Sequence, residues 1–436
     1  MYEIAEKALK ASMRFGANEA EVYIMESQKT SVNIKKNLIE GAKENIAAGI
    51  GIRAIVNGAV GFASTNVMSL IDDTAKSAVS SAMAQEDDPD WKALPSNQKY
   101  PSVSGIMDKE IKDMQLDECI SHAVEMIGGA STTPDIIVTS GSFSRSHGKR
   151  LIMNTNGVEV LEEGTGVSGF ADVITSSGET STAYDFAISR NNDIDFGAIG
   201  RNAAELAKRS QGTISIEPCR TEVIMHPFAI SDLIENAFMP SIDADNVQKG
   251  RSSLTGKIGE AIANERLSIY DSGLLEGGIG TGIADEEGVA SQHTTIINKG
   301  TFESYLYDTY TAGKDDVKST GNASRNSYLS TPSVGSRNFV LDYPQSDLIA
   351  DTDNGIYVNT VIGAHTANGI SGDFSVEARN AFTIKNGSLG RPIKSLMISG
   401  NIFEILRNIN GSGNDVRNVG GTITSSVRVA DMSVVG

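Results

Sequence analysis

Apolar residues recur at helical spacing in four segments of the N-terminal half of the chain. These segments, at 2–15, 69–83, 116–127 and 198–210, each place their apolar residues on one side and therefore predict amphipathic helices. Gly16 follows the first segment and is typical of the glycine that ends a helix in the left-handed conformation.

Between the helices, runs rich in β-branched and apolar residues predict strands at 20–25, 31–39, 47–55, 59–64, 135–143, 149–153, 158–161, 167–174 and 180–188. The pairs Asn57-Gly58, Asn156-Gly157 and Ser177-Gly178 stand between consecutive strands and indicate hairpin turns. Residues 1–212 are therefore predicted to form an N-terminal α+β domain, with an antiparallel sheet and helices packed on one of its faces.

The pattern changes after Thr213, where short strands rich in glycine and asparagine replace the long segments. Helices are predicted at 227–238, 257–263 and 402–409, while 296–301 and 381–387 are typical of two strands joined by a tight turn. We expect residues 213–436 to form a C-terminal β-rich domain, a mostly antiparallel barrel or sandwich with a few helices.

Composition narrows the class of protein. The chain has 436 residues, of which 39% are hydrophobic and 21% charged, as expected of a soluble globular protein with two domains. Its net charge of −18 argues against nucleic acid as a partner, because no Lys/Arg-rich stripe is present to neutralise phosphates. The two cysteines, Cys119 and Cys219, cannot staple a chain of this size, so nothing indicates an oxidising compartment.

The sequence also argues against export and membrane insertion. Glu3, Glu6 and Lys7 lie inside the segment that a signal peptide would need to be apolar. The most hydrophobic run, 46–63, is interrupted by Arg53 and by a turn pair, so it predicts a β-hairpin and not a membrane span. We therefore expect a cytoplasmic protein with no membrane partner.

Histidine and cysteine are spaced too widely for a metal site carried on one helix. A zinc peptidase site needs three protein ligands and an open position for water. No two of the five histidines lie three to five residues apart, and the cysteines form no C-x-x-C pair. A site assembled from distant segments, for instance His226 with Asp373, stays open.

Short stretches of the chain follow one another in the order of a known family. They are DEEGV at 285–289, IINKG at 296–300, YLYDTYTA at 305–312, STGNA at 319–323, SGDF at 371–374, PI at 392–393 and ISGN at 398–401. With GIGIR at 49–53 and GFAS at 61–64, this succession resembles the TldD/PmbA family, also called TldD/TldE. Its members were first described as modulators of DNA gyrase and as peptide-maturation factors.

In the TldD half of that family one helix carries His-Glu-x-x-x-His, which supplies metal ligands. The stretch of this chain that resembles it is 222–256, and an alignment without gaps assigns Glu235, Asn236 and Pro240 to the three slots. Proline has no side-chain donor atom, and the single carboxylate of Glu235 cannot hold zinc. The resemblance therefore implies that this helix is present without its metal chemistry.

A second position that supplies a metal ligand in the family also lacks one in this chain. The metal-binding branch supplies a cysteine shortly before its last strand, and the corresponding position here is near Gly411. No cysteine follows Cys219 in this chain. The two absences together place the chain in the PmbA/TldE branch, with no catalytic residue and no metal or other cofactor of its own.

The resemblance implies a PmbA/TldE-like subunit of a TldD/TldE-type metallopeptidase that degrades or matures unstructured peptides. The metal, expected to be zinc, then belongs to a TldD-type partner, while this chain supplies peptide binding and cavity closure. Two alternatives stay open: an active metallopeptidase with ligands not yet identified, and a non-enzymatic binding or scaffold protein that forms a homodimer. In the absence of its partner, the chain is expected to form a homodimer.

Contacts with substrate or partner are expected in two turns of the C-terminal domain. The first contains Asp285 and Gly288, and the second contains Ser371, Gly372, Asp373 and Phe374. Either turn has an alternative interpretation as ordinary solvated structure, since glycine supplies a positive φ at no steric cost. His226, at a predicted strand end, is interpreted as a structural histidine.

Overall fold

The computed structural model describes residues 1–436, which form a mixed α+β protein. The helices are α1 (Tyr2–Arg14), α2 (Ile71–Met83), α3 (Lys109–Asp113), α4 (Leu116–Ser131), α5 (Phe196–Arg209), α6 (Pro227–Leu233), α7 (Met239–Ile242), α8 (Ala244–Gln248), α9 (Thr309–Lys314) and α10 (Ile402–Asn408). Short 3₁₀-helices occupy Met68–Leu70 and Ala364–Thr366, and a π-helix occupies Ile234–Phe238. None of the helices is both long enough and apolar enough to cross a membrane.

The first six strands belong to the N-terminal half and the others to the C-terminal half. The strands are β1 (Glu19–Lys35), β2 (Leu38–Val56), β3 (Ala59–Thr65), β4 (Ile136–Asn154), β5 (Glu159–Thr175), β6 (Thr182–Ser189), β7 (Cys219–Met225), β8 (Ser268–Ser272), β9 (His293–Asn298), β10 (Thr301–Phe302), β11 (Ala323–Ser324), β12 (Ser333–Val334), β13 (Phe339–Asp342), β14 (Asn354–Ile362), β15 (Asp373–Lys385), β16 (Ser388–Pro392), β17 (Leu396–Asn401), β18 (Ile409–Ser412), β19 (Arg417–Val419), β20 (Thr422–Thr424) and β21 (Val427–Val435).

The N-terminal sheet has the strand order β3-β2-β1-β4-β5-β6, and all of its pairs are antiparallel. Side chains alternate between faces along a strand, so Val22, Ile24 and Val32 of β1 share one face. On that face β1 packs with α1 and α2 in one apolar cluster and with α4 and α5 in another. The predicted antiparallel sheet with helices on one face is confirmed.

The strands of this sheet are longer than the sequence predicted. Predicted strands at 20–25 and 31–39 were wrong in their bounds, because the turn falls at Lys36 and Asn37, which have φ of +50° and +61°. The predicted pairs 135–143 with 149–153 and 158–161 with 167–174 each merge into one strand, β4 and β5. Polar residues interrupt the apolar pattern in these places, but backbone pairing continues through them.

The C-terminal half is built around a closed barrel of five strands. In the order β14-β7-β21-β17-β15 each strand pairs with the next, and β15 pairs with β14 to close the ring. Only the β14–β7 pair of this ring is parallel. A second sheet, β10-β9-β8-β13-β20-β19, packs beside the barrel in one large apolar core. The predicted mostly antiparallel barrel is confirmed.

Two predicted helices differ from the structure. The segment 257–263 contains turns and an isolated bridge instead of a helix; Gly256 just before it and Gly259 within it have φ of +74° and +89°. The helix predicted over 227–238 is divided into α6 and the π-helix Ile234–Phe238. The wider π turn inserts an extra residue, which changes the direction of the side chains that follow.

The face of the N-terminal sheet opposite its helices packs on the C-terminal half at two places. At one end, Tyr23 and Ile152 contact Ala284 in a small buried apolar cluster. At the other end, the rings of Tyr184 and Phe186 stack on Phe228 at centroid distances of 5.5 and 4.9 Å. A polar cavity lies between the sheet and the C-terminal loops.

Candidate functional site

The residues assigned to the metal slots lie on the π-helix and just beyond it. Glu235 and Asn236 belong to the π-helix, and Pro240 lies in the first turn of α7. The same π-helix buries Ala237 and Phe238 in the large C-terminal core. Of the polar residues of the π-helix, Glu235 is exposed and Asn236 is half-buried.

Glu235 has one hydrogen bond from a side chain, donated by Thr422 Oγ1 to Oε1 at 3.3 Å. Burial raises the pKa of Glu235, and the nearby charge of Asp232 adds to the increase. Burial alone raises the pKa of Asp232 to about 6. Asn236 Nδ2 donates to the carbonyl oxygen of Asp232 at 2.8 Å. The polar groups are therefore two carboxyls with raised pKa values, and an amide bonded within its own helix.

Pro240 and Gly411 serve packing. A Cβ built on Gly369 would lie 3.0 Å from Pro240 Cβ, and Asn246 Nδ2 donates to the Pro240 carbonyl oxygen at 3.0 Å. Gly411 lies in β18 opposite Arg428, and a Cβ there would approach Leu348 Cδ2 to 2.6 Å. A side chain at 411 would first have to displace Leu348.

The structure contains no group of three or more His, Cys, Asp or Glu side chains that could hold a metal ion. His226 caps α6, since its Nδ1 accepts from Phe228 N at 3.2 Å. Burial and the charge of Arg417 lower the pKa of His226 to about 4. Asp373 has other neighbours, since Asn401 Nδ2 and Ser371 Oγ donate to it at 2.8 and 2.6 Å. The distant pair His226 and Asp373 thus stays a prediction without a third ligand.

Asp285 lies in the interior of the protein, where three backbone amides donate to its carboxylate. The donors are Glu287 N and Val289 N at 2.9 Å and Ala323 N at 3.0 Å. Burial and the nearby charge of Glu287 raise the pKa of Asp285 to about 7. The following Gly288 has a φ of +84°, and its carbonyl oxygen accepts from Tyr100 Oη at 3.0 Å. The turn therefore joins the two halves of this chain.

Beside this turn, four charged side chains form a buried ion-pair network across the two halves. Arg53 Nη2 lies 2.6 Å from Glu21 Oε2 and 2.8 Å from Glu287 Oε1. Arg325 completes the network with a further ion pair to Glu21. Thr309 N donates to Glu287 Oε2 at 2.9 Å. Burial alone would raise the pKa of Glu287, but the charge of Arg53 and the hydrogen bonds from Arg53 and Thr309 together lower it. These partners lie on distant segments of the chain, so no local sequence pattern predicts them.

The second predicted turn lies at the surface. Asn368 Oδ1 accepts from the backbone amide of Ser371 at 3.1 Å, and Gly372 has a φ of +81°. The hydrogen bonds from Asn401 and Ser371 lower the pKa of Asp373. Phe374 is buried in the core and holds the turn in place. Asp373 is exposed and free to meet another molecule, and its contact with substrate or partner stays a prediction.

The cavity between the sheet and the C-terminal loops has a volume of about 390 Å³. Arg150 from β4, Arg190 after β6 and Arg337 before β13 line it together with Glu162 and Glu286. The sequence did not predict this site, because its residues are far apart along the chain and form no motif. Only the fold brings the three arginines together.

Comparison with known proteins agrees with this architecture. Family models described as PmbA/TldA metallopeptidase domain 1, central domain and C-terminal domain match residues 20–85, 109–211 and 218–436. The uncharacterized protein MJ0231 of Methanocaldococcus jannaschii is 36% identical over 97% of both chains. A protein of Methanothermobacter thermautotrophicus named metalloprotease is 29% identical over 90% of this chain and 87% of its own.

Two solved structures share the fold over almost their whole length. TldE from Thermococcus kodakarensis has a TM-score of 0.94 at 23% identity and covers 99% of this chain and 100% of its own. A Thermotoga maritima protein described as a candidate modulator of a DNA gyrase has a TM-score of 0.91 at 25% identity and covers 99% of each chain. The fold and the three matched domains define a PmbA/TldD-type protein. The chain belongs to the PmbA/TldD metallopeptidase family.

Proposed function

We propose that this chain is a TldE-type subunit that pairs with a TldD-type, metal-binding subunit and contributes peptide binding and cavity closure. The observation that carries the proposal is the chemistry of the family's metal slots. Pro240 offers no donor atom, Asn236 is hydrogen-bonded within its helix, and Glu235 is a lone carboxyl with a raised pKa. A zinc peptidase centre requires three donors that are ready to bind, so catalysis is assigned to the partner.

Support for peptide binding comes from an open edge in the N-terminal sheet. On one side β2 pairs with β1 along its whole length, but on the other side β3 begins to pair only at Ile50. The outer edge of β2 at residues 38–49 therefore presents unpaired backbone groups, and Ile46 beside it is 76% exposed. An extended peptide can add to such an edge as a further strand.

The first test is metal content. The purified chain is dialysed against zinc and then against buffer, and its metal is measured by elemental analysis. We expect far less than one zinc per chain, because no three donors meet. About one bound zinc would favour the alternative that the chain is itself a metallopeptidase.

The second test is peptidase activity against unfolded peptides, measured for the chain alone and mixed with a TldD-type subunit. Only the mixture is expected to cleave, and Glu235→Ala should retain that activity, because this carboxyl has no catalytic role in the proposal. The matched control is Glu404→Ala, which truncates an exposed carboxylate on α10. A loss of about 10²-fold or more in Glu235→Ala alone, with folding unchanged, is the scale of a lost acid or base and would reverse the assignment.

The third test is assembly, measured by light scattering. The chain alone is expected to form a homodimer that exchanges into a heterodimer with the partner, through the surface near 371–374. Ile370, beside this turn, is 48% exposed, so Ile370→Glu should weaken pairing. Val124→Glu is the control, because Val124 is 51% exposed on α4 on the opposite side of the N-terminal sheet. A monomer that does not bind a TldD-type protein would contradict the proposal and favour the alternative of a non-enzymatic binding or scaffold protein.

A further inference from the structure

The polar cavity between the sheet and the C-terminal loops gathers three guanidinium groups. Arg150, Arg190 and Arg337 come from three separate segments and line the same 390 Å³ space. Their charges act on one another, since Arg150 and Arg337 both lower the pKa of Arg190. Charges of one sign are rarely collected in a partly buried space unless an opposite charge meets them there.

Arg150 has carboxylate partners. Its Nη2 lies 3.1 Å from Glu162 Oε1, and its Nη1 forms an ion pair with Glu286. Arg150 Nη2 also donates to the carbonyl oxygen of Ala284 at 3.0 Å. The other oxygen of Glu162 accepts from Ile283 N at 2.8 Å. Glu162 and Glu286 are thus both engaged with Arg150, and Glu162 also holds the loop beside it.

Arg190 and Arg337 bond to neutral groups instead. Arg190 donates to the carbonyl oxygens of Ile279 and of Thr165, the latter at 3.3 Å, and its buried Nε has no partner. Arg337 Nε donates to the carbonyl oxygen of Gly280 at 2.8 Å. Neither guanidinium makes an ion pair, although both are partly withdrawn from water. Burial and Arg150 accordingly lower the pKa of each.

Close packing holds the two groups in position. The carbonyls of the consecutive residues Ile279 and Gly280 bind one guanidinium each, so the two lie side by side on one loop. A Cβ on Gly164 would lie 2.7 Å from Arg190 Nη1, and a Cβ on Gly280 would lie 2.3 Å from the carbonyl oxygen of Arg337. The glycines let the backbone approach and fix both arginines before any ligand arrives.

We propose that Arg190 and Arg337 form a binding site for an oxyanionic group, a carboxylate or a phosphate, inside this cavity. A planar guanidinium presents two parallel N–H donors that match both groups, and two such groups can hold one anion from two sides. The cavity volume falls in the range of small-ligand sites. The ligand would give Arg190 and Arg337 the direct ion pair that Glu162 and Glu286 form with Arg150.

Two sources offer this chemistry, namely free inorganic phosphate and the C-terminal carboxylate of a peptide. The peptide source rests on the proposed function, whereas the phosphate source does not. The full-length chain is titrated by calorimetry with three probes: inorganic phosphate, a short peptide with a free C-terminus, and the same peptide with a C-terminal amide. Binding of the acid but not the amide assigns the site to a carboxylate, and binding of phosphate alone assigns it to phosphate.

The variants are Arg190→Gln and Arg337→Gln, with Arg251→Gln as the control for lost charge. Arg251 is exposed and its side chain has no hydrogen-bond partner in the protein. Each cavity variant is expected to weaken the bound probe by about 10-fold or more, the scale of a lost charged hydrogen-bond partner, while the control leaves affinity unchanged. Failure of every probe to bind at millimolar concentration, or unchanged affinity in both cavity variants, would overturn the proposal.

A purely structural role makes a different forecast. If the arginines only tie down the loop at 279–280, the Gln variants lose thermal stability without ligand and keep their affinity for the probe. The proposal expects the reverse, with an apparent Tm close to the wild type, because a like-charge repulsion is relieved. Arg190→Lys and Arg337→Lys, which keep the charge but lose the planar fork, carry the test if a Gln variant does not fold. The outcome is independent of zinc content and peptidase activity, so it can fail or succeed separately from the proposed function.

Discussion

Two acidic residues of the C-terminal half, Glu287 and Glu235, sit in opposite electrostatic surroundings. Glu287 is fully buried, but Arg53 and the amide of Thr309 bind it and lower its pKa. Glu235 is exposed at the residue level, with one long hydrogen bond from Thr422, and its pKa is raised. The depth of burial therefore does not by itself set the direction of the pKa shift, which also depends on the cations and hydrogen-bond donors around the carboxylate.

The difference separates two uses of charge in this protein. The network of Glu21, Arg53, Glu287 and Arg325 joins β1 and β2 to the loops of the C-terminal half, so each ion needs the others. Asp232 near the end of α6 and Glu235 in the π-helix form no ion pair, and the pKa of each is raised. Substitution within the ion-pair network should thus lower the stability of the fold, whereas neutralising Asp232 or Glu235 should leave the stability unchanged or raise it.

The largest effect is expected from Arg53→Ala. It leaves Glu21 and Glu287 buried with only Arg325 nearby, and removing one partner of a buried ion pair costs about 3–5 kcal/mol of unfolding free energy. Urea denaturation monitored by circular dichroism measures the loss. The control Arg220→Ala removes an exposed arginine that pairs with Asp431 and should leave the midpoint near that of the wild type. Equal losses in the two variants would show that the junction is not held by this network.

A smaller effect is expected from Gly288→Ala at the same junction. The φ of Gly288 is +84°, and an added Cβ would lie 2.4 Å from Val158 Cγ1 across the two halves. Backbone strain and overpacking together are expected to cost about 2–4 kcal/mol. Gly250→Ala is the matched control, because its φ is +68° and its added Cβ meets nothing within 4 Å. Gly250→Ala therefore measures the backbone strain alone, which is expected to cost about 1 kcal/mol of unfolding free energy. If it cost as much as Gly288→Ala, the clash with Val158 would not contribute to the loss.

The sequence predicted those parts of the fold that depend on local pattern. Turn pairs such as Asn57-Gly58 and Asn156-Gly157, and the helices around them, follow from residues close together in the chain. It did not predict that β4 and β5 are continuous, because glycine and charged residues such as Gly148 and Glu163 interrupt the apolar pattern where the strands line the cavity. Register across the sheet, which no local window contains, decides that continuity.

The candidate sites also divide into those that follow from the order of residues along the chain and those that need the fold. The slots at Glu235 and Pro240 were found through a resemblance that runs along the chain. The cavity arginines and the partners of Glu287 were missed, because Arg53 and Glu287 are brought together only by the packing of two halves. The π-helix was missed as well, since nothing in its sequence distinguishes its apolar residues from those of an ordinary helix.

The smallest effect, and the sharpest test of the surroundings of Asp232 and Glu235, is the pH dependence of Asp232→Asn. Burial raises the pKa of Asp232 in the folded protein to about 6, above its ordinary value of 3.8. The folded state therefore holds its proton more tightly than the unfolded state does. The stability from the protonated form is present below pH 4 and is lost as the pH rises through about 6.

Asparagine resembles the neutral carboxyl and does not titrate, so Asp232→Asn should match the wild type near pH 4 and exceed it at pH 7.5. With a discount for the partial exposure of Asp232 to water, the gain is expected to be about 1 kcal/mol. Removing this charge also removes one cause of the raised pKa of Glu235, which adds to the gain.

The control is Asp373→Asn. Hydrogen bonds from Asn401 and Ser371 lower the pKa of Asp373, so the effect of this substitution on stability has the opposite sign. That variant should be the less stable one at neutral pH and approach the wild type as the pH falls. Urea midpoints between pH 4 and 7.5 measure both differences, and a gain for Asp232→Asn that does not change with pH would show that burial of this charge is not its cause.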